Sequence, residues 1–212
     1  FCSACIRAEA FREAVNQALR TQQAELLAFR RSEESRQIAC ALLGHLARFV
    51  GAAGRRPKAQ GAPRWRLSLG VRAVGLRGDT LCGDCGTSFQ CGVTQYVLLC
   101  DGMGTGSGAQ SDAQEAISVL QSLLTLGFDA MDAAAMLNEL YVLRGDGCFS
   151  TVDLLEMDLC TGEGALYKWG AAPSYLRKGG TVKKIGTASP PPGLGVGEEH
   201  RAERVGLSLQ RG

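Results

Sequence analysis

The stretch that decides the fold runs Val97-Leu98-Leu99-Cys100-Asp101-Gly102-Met103-Gly104-Thr105-Gly106-Ser107-Gly108. An apolar run of strand type carries a single carboxylate, Asp101, to its end, and a glycine-rich turn follows at once. A carboxylate at the end of a buried strand is costly unless its charge is compensated. Divalent cations are the usual compensation, because hard cations bind carboxylate oxygens, and glycines let the backbone approach such an ion. The stretch therefore predicts a metal-binding turn between a strand and a helix.

A second acid, Asp84, lies on another short turn, Cys82-Gly83-Asp84-Cys85-Gly86, and is a candidate to share the ion. A rival interpretation is a dinucleotide site, since Gly104, Gly106 and Ala109 fit the G-x-G-x-x-A pattern. That fold next requires a parallel strand ending in an acid. Here the first helix instead leads through residues 127–129 into a second helix. A tight turn with a solvated Asp101 is the remaining alternative.

Composition excludes several classes of function. The chain has 212 residues and a net charge of +2, which is too small to indicate nucleic-acid binding. No apolar run approaches the length of a membrane span. Nine cysteines, an odd number, fit a reducing compartment better than a disulfide scaffold. Because the chain starts at Phe1 without a leader, we expect a cytoplasmic piece of a longer protein, and that parent protein is a candidate for a membrane anchor.

Residues 7–50 carry helical periodicity. Their apolar side chains form two stripes, Phe11, Val15, Leu19, Leu26, Phe29 and Ile38, Leu42, Leu46, Phe49. Residues 32–35 either break the helix or lie within one long helix. Such a helix needs a partner surface, which is either the next domain or another copy of the chain. A basic, flexible stretch follows at residues 51–64. We therefore predict a helical regulatory segment and linker over residues 1–62 and a second domain over residues 65–212.

After the linker the pattern is that of an α+β domain with antiparallel sheet. Two consecutive helices are predicted, one with Ser111 as an N-cap and ending at Gly127, the other capped by Asp129. Strands are predicted before and after them, at Leu67–Val74, Thr87–Gln90, Gln95–Cys100, Ser150–Leu159, Ala165–Gly170, Ser174–Arg177 and Thr181–Ile185.

Other polar residues offer weaker sites. Cys2 and Cys5, with Cys82 and Cys85, are a possible four-thiolate zinc module, and the role of both pairs stays open. Neither histidine lies near a nucleophile, which disfavours a Ser/His/Asp hydrolase; His45 is predicted to be a helix-face residue. Asp153 and Asp158 are predicted to face solvent or to cap a turn rather than to bind metal.

Placed in order, these segments resemble the phosphatase domain of the stage II sporulation protein E family, which belongs to the metal-dependent Ser/Thr phosphatases of the 2C class. The similarity covers roughly residues 67–212. Its elements are Gly83-Asp84, Cys100-Asp101-Gly102-Met103-Gly104-Thr105-Gly106, Leu126-Gly127-Phe128-Asp129, Phe149-Ser150-Thr151-Val152-Asp153-Leu154, Gly170-Ala171-Ala172-Pro173-Ser174-Tyr175 and Pro192-Gly193-Leu194-Gly195. The Asp-Gly-Met-Gly-x-Gly and Phe-Ser-Thr-Val-Asp-Leu elements are the most specific. The resemblance implies a two-sheet antiparallel β-sandwich flanked by helices.

The resemblance also implies chemistry. Asp84 and Asp101 would be catalytic metal ligands, Asp101 bridging two Mn²⁺ or Mg²⁺ ions, and the Gly102 carbonyl a further ligand. The reaction would be hydrolysis of phosphoserine or phosphothreonine by a metal-activated water. The substrate would be a phosphorylated anti-anti-sigma factor, in sporulation control. A homodimer through the helical segment would be possible, with the helices acting as a switch.

The main departure of the chain from the family pattern concerns the further metal acids. The family's next metal acid lies in a strand ending Asp-Gly, whereas Leu207-Ser208-Leu209-Gln210-Arg211-Gly212 resembles the segment before that strand. We therefore expect a phosphatase domain that is incomplete at its C-terminus and inactive alone. The alternative is a non-catalytic phosphatase-like domain that binds a phosphoprotein partner.

Overall fold

The computed structural model describes residues 3–53, 61–75, 81–186, 189–194 and 202–209. The chain divides into two compact units, Phe1–Gly44 and His45–Gly212. Helix α1, Ser3–Ala53, accounts for the described part of the first unit and continues into the second. It runs through residues 32–35 without a break. Across the described residues, no helix is both long enough and apolar enough to cross a bilayer.

The second unit is built on a five-stranded antiparallel sheet in the order β1-β2-β3-β4-β7. The strands are β1 Asp84–Cys91, β2 Thr94–Gly102, β3 Ser150–Asp158, β4 Glu163–Trp169 and β7 Glu203–Ser208. Successive side chains of a strand point to opposite faces. In β2 the buried side chains are those of Tyr96, Leu98 and Cys100, which face the core. This alternation places Asp101 on the face of the sheet away from the core residues Leu98 and Cys100.

Two helices cover the core face of the sheet. They are α2, Gly106–Leu126, and α3, Ala130–Arg144. Helix α2 ends at Gly127 in the left-handed conformation, and the Asp129 side chain accepts a hydrogen bond from the Asp132 amide at 2.8 Å. Both helix-boundary predictions are therefore confirmed. The fully buried core residues Ala113, Ala116, Leu120, Val152 and Leu154 come from α2 and β3.

A separate two-stranded antiparallel sheet is formed by β5, Ser174–Lys178, and β6, Thr181–Ile185. The alternation of the sequence predicted this hairpin. A loop follows β6 and its described part, residues 189–194, returns to the main sheet, where the Ser150 amide donates to the Pro192 carbonyl. The predicted α+β class with antiparallel sheets is confirmed.

Two predictions about elements are wrong, and one strand was not predicted. Helix α2 begins at Gly106 with Thr105 as its N-cap rather than at Ser111, because Gly104 and Gly106 adopt positive φ and turn the chain sooner. Leu67–Val74 is irregular. Its alternation indicates a half-buried strand, but no ladder partner for it exists among the described residues. The sequence analysis predicted no strand at Glu203–Ser208, where the structure has β7 paired with β4.

Candidate metal centre

The two predicted metal acids lie side by side. Strands β1 and β2 pair in a register that sets Asp84 directly opposite Asp101. Directly opposed residues of an antiparallel pair have Cβ atoms roughly 5 Å apart and project from the same face of the sheet. The β1–β2 hairpin therefore brings together two carboxylates that are 17 positions apart in the sequence.

The electrostatics of this pair call for a cation. Burial raises the pKa of Asp101 above its ordinary value, and the charge of Asp84 and a hydrogen bond to it raise that pKa further. In the described part of the chain, no arginine, lysine or histidine forms an ion pair with either carboxylate. Two adjacent carboxylates without a counter-charge are a donor set suited to a hard divalent ion.

Glycines shape the space around the pair. The Gly102 amide donates to the Gly83 carbonyl at 3.3 Å, which closes the chain around Asp101. A Cβ added to Gly83 would lie 3.8 Å from Asp101 Oδ1 and 3.9 Å from the Gly102 carbonyl oxygen. The carboxylate of Asp101 and the carbonyl of Gly102 therefore both face the small space left at Gly83. All three predicted ligands, Asp84, Asp101 and Gly102, lie at one end of the β1–β2 hairpin.

Residues 3–53, 61–75, 81–186, 189–194 and 202–209 contain no group of three or more His, Cys, Asp or Glu side chains arranged to hold a metal ion. The described acids of the candidate centre thus number two. Carboxylate and carbonyl oxygens are the donor type that divalent cations bind, and further coordination positions would be left to other groups.

Cysteines border the centre. Cys82 Sγ donates to Asp84 Oδ2 at 3.6 Å. Cys85 lies on the opposite face of β1, where its thiol contacts the Gln110 carbonyl, and burial raises its pKa. Of the predicted zinc module, Cys2 lies outside the described residues and the Cys5 side chain is not described. The zinc hypothesis stays a prediction.

A buried hydroxyl network supports the turn, and sequence reasoning missed it. Tyr141 of α3 donates to the Asp112 carbonyl of α2 at 3.1 Å, and its oxygen lies 2.9 Å from Ser150 Oγ. Ser150 is fully buried and sits opposite Gly102 in the β2–β3 register. The Tyr141 hydroxyl therefore connects α3 with α2 and with β3 beside the candidate centre.

The prediction for Asp158 is confirmed, and that for Asp153 is wrong. Asp158 Oδ1 accepts hydrogen bonds from the Cys160 and Thr161 amides and so caps a turn. Asp153 instead forms an ion pair with Lys168, its direct neighbour in the β3–β4 register. Lys168 is 1% exposed. The signal that sequence reasoning missed is a single lysine within the otherwise apolar segment Ala165–Trp169, one residue before the end of β4.

His45 is not a metal ligand in this arrangement. Its Nδ1 atom lies 2.9 Å from Asp132 Oδ1, and Arg48 Nη2 donates to the same oxygen at 3.0 Å. Phe49 stacks on Phe128 beside this cluster with ring centroids 4.0 Å apart. The C-terminal turns of α1 are thereby fixed to the start of α3. The predicted helix-face position of His45 agrees with this contact.

Comparison with solved structures defines the class of protein. The chain superposes with a TM-score of 0.63 and 28% identity on the PP2C phosphatase domain, with a regulatory-domain fragment, of the cell fate determinant SpoIIE from Bacillus subtilis. The match covers 70% of this chain and 44% of that one. RsbX in complex with magnesium matches with a TM-score of 0.52 at 13% identity, over 66% of this chain and 67% of RsbX. The fold is that of the 2C-class phosphatases.

The family is defined more closely by sequence. The family model of stage II sporulation protein E matches residues 93–212. The curated stage II sporulation protein E of Bacillus subtilis is 30% identical over 150 residues, which are 70% of this chain. The chain belongs to the stage II sporulation protein E family. It spans 18% of the length of that relative.

Proposed function

We propose that this chain carries one side of the metal centre of a metal-dependent serine/threonine protein phosphatase. One observation carries the proposal: Asp84 and Asp101 face each other across β1 and β2 in a chain of this family. The sandwich fold of the 2C class supports it. The predicted boundary between a regulatory segment over residues 1–62 and a phosphatase domain over residues 65–212 is part of the same proposal.

Within the proposed centre each residue has its own task. Asp101 would bridge two Mn²⁺ or Mg²⁺ ions, while Asp84 and the Gly102 carbonyl would complete the near side. The bound ions would supply an acidified water and neutralise the phosphoryl oxygens. The negative charges of Asp84 and Asp101 lie side by side, so the pair would attract a cation. The magnesium in the structure of RsbX supports a divalent ion.

The substrate class follows from the family. We propose a phosphoserine or phosphothreonine in a regulatory protein, specifically a phosphorylated anti-anti-sigma factor, acted on in the cytoplasm during sporulation control. The relatives' description as sporulation proteins and as a cell fate determinant supports this assignment. Nucleic acid is not proposed as a partner, since the net charge of +2 is small.

We further propose that the 212-residue chain by itself binds metal weakly and hydrolyses little phosphoprotein. Two carboxylates and one carbonyl fill only a few of the roughly twelve coordination positions that two six-coordinate ions require. If this chain nevertheless releases phosphate from a phosphoserine peptide in a Mn²⁺-dependent manner, and Asp101→Asn abolishes that release, this part of the proposal fails.

Metal titration tests the centre. We expect Mn²⁺ binding, measured by the electron paramagnetic resonance signal of the free ion, to weaken at least tenfold in Asp84→Asn and in Asp101→Asn, because each loses an anionic ligand. The matched control is Asp158→Asn, since Asp158 caps a turn instead; its affinity should equal that of the unchanged chain. Equal affinity in all four proteins would refute the metal site and favour a non-catalytic phosphoprotein-binding domain.

Helix α1 supports a proposed homodimer. Val15, Leu19, Leu26 and Phe29 repeat at spacings of four, seven and three residues, and all are exposed. This is the spacing of the a and d positions of a coiled coil, so a second copy of the helix is the proposed partner.

Sedimentation velocity tests the dimer with a matched pair of leucines. Leu26 and Leu27 are 57% and 59% exposed, but only Leu26 lies on the repeat. We expect Leu26→Glu to reduce the sedimenting mass to the 22.4 kDa of one chain, because a charge at an a position opposes association. Leu27→Glu should leave the mass doubled. A monomeric unchanged chain, or equal effects of the two substitutions, would contradict the dimer.

A further inference from the structure

The β5–β6 hairpin carries charges of one sign only. Residues 171–186 contain four cations, Arg177, Lys178, Lys183 and Lys184, and no acidic residue. All four side chains are exposed, and among the described residues none of them forms an ion pair. The hairpin therefore carries uncompensated positive charge.

Strand register sorts these cations onto two faces. One face is anchored, because Ile185 is buried and its neighbour Ser174 accepts a hydrogen bond from Lys168 at 2.8 Å. Side chains alternate along each strand, so Lys178 and Lys183 belong to this anchored face.

The opposite face consists of Tyr175, Arg177, Val182 and Lys184, which pair as Tyr175 with Lys184 and Arg177 with Val182. We call these four residues the outer patch. Tyr175 is 69% exposed and Val182 is 59% exposed. The outer patch thus presents an aromatic and an aliphatic side chain, each directly beside a cation.

The hairpin is held where it can meet a substrate of the proposed centre. Its base is bonded to Lys168, which forms an ion pair with Asp153. Asp153 projects from the same face of the sheet as Asp101, since Asp101 pairs with Thr151 two residues earlier on β3. The chain between β4 and β5 is four residues long, Gly170–Pro173, so it leaves little freedom for the hairpin to move from this position.

We propose that the outer patch docks an acidic segment of the phosphoprotein substrate, an inference that rests on the proposed function. The two cations would pair with carboxylates of the partner, and Tyr175 and Val182 would contact its apolar groups. Tyrosine and arginine are enriched in protein interfaces. A patch with two apolar side chains and two cations fits a protein segment better than a nucleic-acid backbone, which needs several phosphate contacts.

Charge reversal on either face of the hairpin tests the proposal. The probe is a fluorescein-labelled ten-residue peptide of Asp, Glu, Ala and Leu with one phosphoserine, and fluorescence anisotropy measures its Kd. We expect Arg177→Glu/Lys184→Glu to weaken binding at least tenfold. The control Lys178→Glu/Lys183→Glu changes the net charge equally on the anchored face and should weaken binding less than threefold.

Three results would overturn the proposal. They are an equal loss in both double variants, no binding of the peptide by the unchanged chain, and tighter binding of a single-stranded DNA ten-mer than of the peptide. Circular dichroism of each double variant checks that the substitutions in the hairpin have not unfolded the chain. The Mn²⁺ titration of the unchanged chain tests the proposed function separately, so the failure of either proposal can be told from that of the other.

Discussion

Replacing Lys168 by methionine is expected to lower the free energy of unfolding by about 3–5 kcal/mol, the cost of leaving one charge of a buried pair without its partner. Lys168 is buried near the end of β4, and its ammonium group donates to Asp153 and to Ser174 Oγ. Methionine fills a similar volume but makes neither bond. Urea unfolding followed by circular dichroism measures the loss.

Two further variants show that the loss belongs to the ion pair. Lys183→Met removes an exposed lysine of the hairpin and should change the free energy of unfolding by no more than about 0.5 kcal/mol. Lys168→Met/Asp153→Leu removes both charges. Because a buried pair can be replaced by apolar groups at little cost, the double variant should be more stable than Lys168→Met alone. If the double variant loses as much stability as Lys168→Met and Asp153→Leu lose together, the two residues act independently and the explanation is wrong.

The loss in Lys168→Met should depend on pH. Burial already raises the pKa of Asp153 in the unchanged chain, although Lys168 opposes the increase. Without Lys168 the pKa of folded Asp153 rises further above its unfolded value, so the folded state holds a proton more tightly than the unfolded state. The variant should therefore gain stability as the pH falls through that raised pKa. The difference in free energy of unfolding between Lys168→Met and the unchanged chain should be smaller at pH 5 than at pH 8.

Local sequence was sufficient to predict the position of Asp101 at a strand end and the caps at Gly127 and Asp129. Asp101 follows an apolar run, and the glycines after it identify a tight turn before a helix. Asp129 and Gly127 mark helix ends through capping chemistry that involves only neighbouring residues. Such features are encoded within a few positions of the chain, and the structure places them as expected.

Features that depend on pairing between distant segments were not predictable in the same way. The Asp153–Lys168 pair arises from the β3–β4 register, and a shift of one residue would place the two on opposite faces. Strand β7 has Val205 and Leu207 on one face, an alternation too short to predict a strand. Leu67–Val74 has stronger alternation but remains irregular, because a strand also needs a neighbour that offers backbone hydrogen bonds.

Gly102→Ala is expected to cost about 3 kcal/mol of stability, the upper end of the usual cost of overpacking a rigid site. A Cβ at this position would overlap the carbonyl oxygen of Ala109 and lie 2.7 Å from the carbonyl carbon. Those atoms belong to the backbone of α2 and have no rotamer by which to move away. The variant must displace the start of α2 from the end of β2, so Mn²⁺ binding should weaken as well.

Gly108→Ala is the matched control, because it also places a methyl group near the start of α2. A Cβ on Gly108 meets no atom within 4 Å, and its φ is not in the positive range. Alanine should therefore stabilise the helix by about 0.5–1 kcal/mol and leave Mn²⁺ binding unchanged. Thermal unfolding and Mn²⁺ titration of both variants separate the two positions. If the Gly102→Ala protein is as stable as the unchanged chain, α2 does not pack against Gly102. In that case packing against α2 does not fix the Gly102 carbonyl beside Asp101.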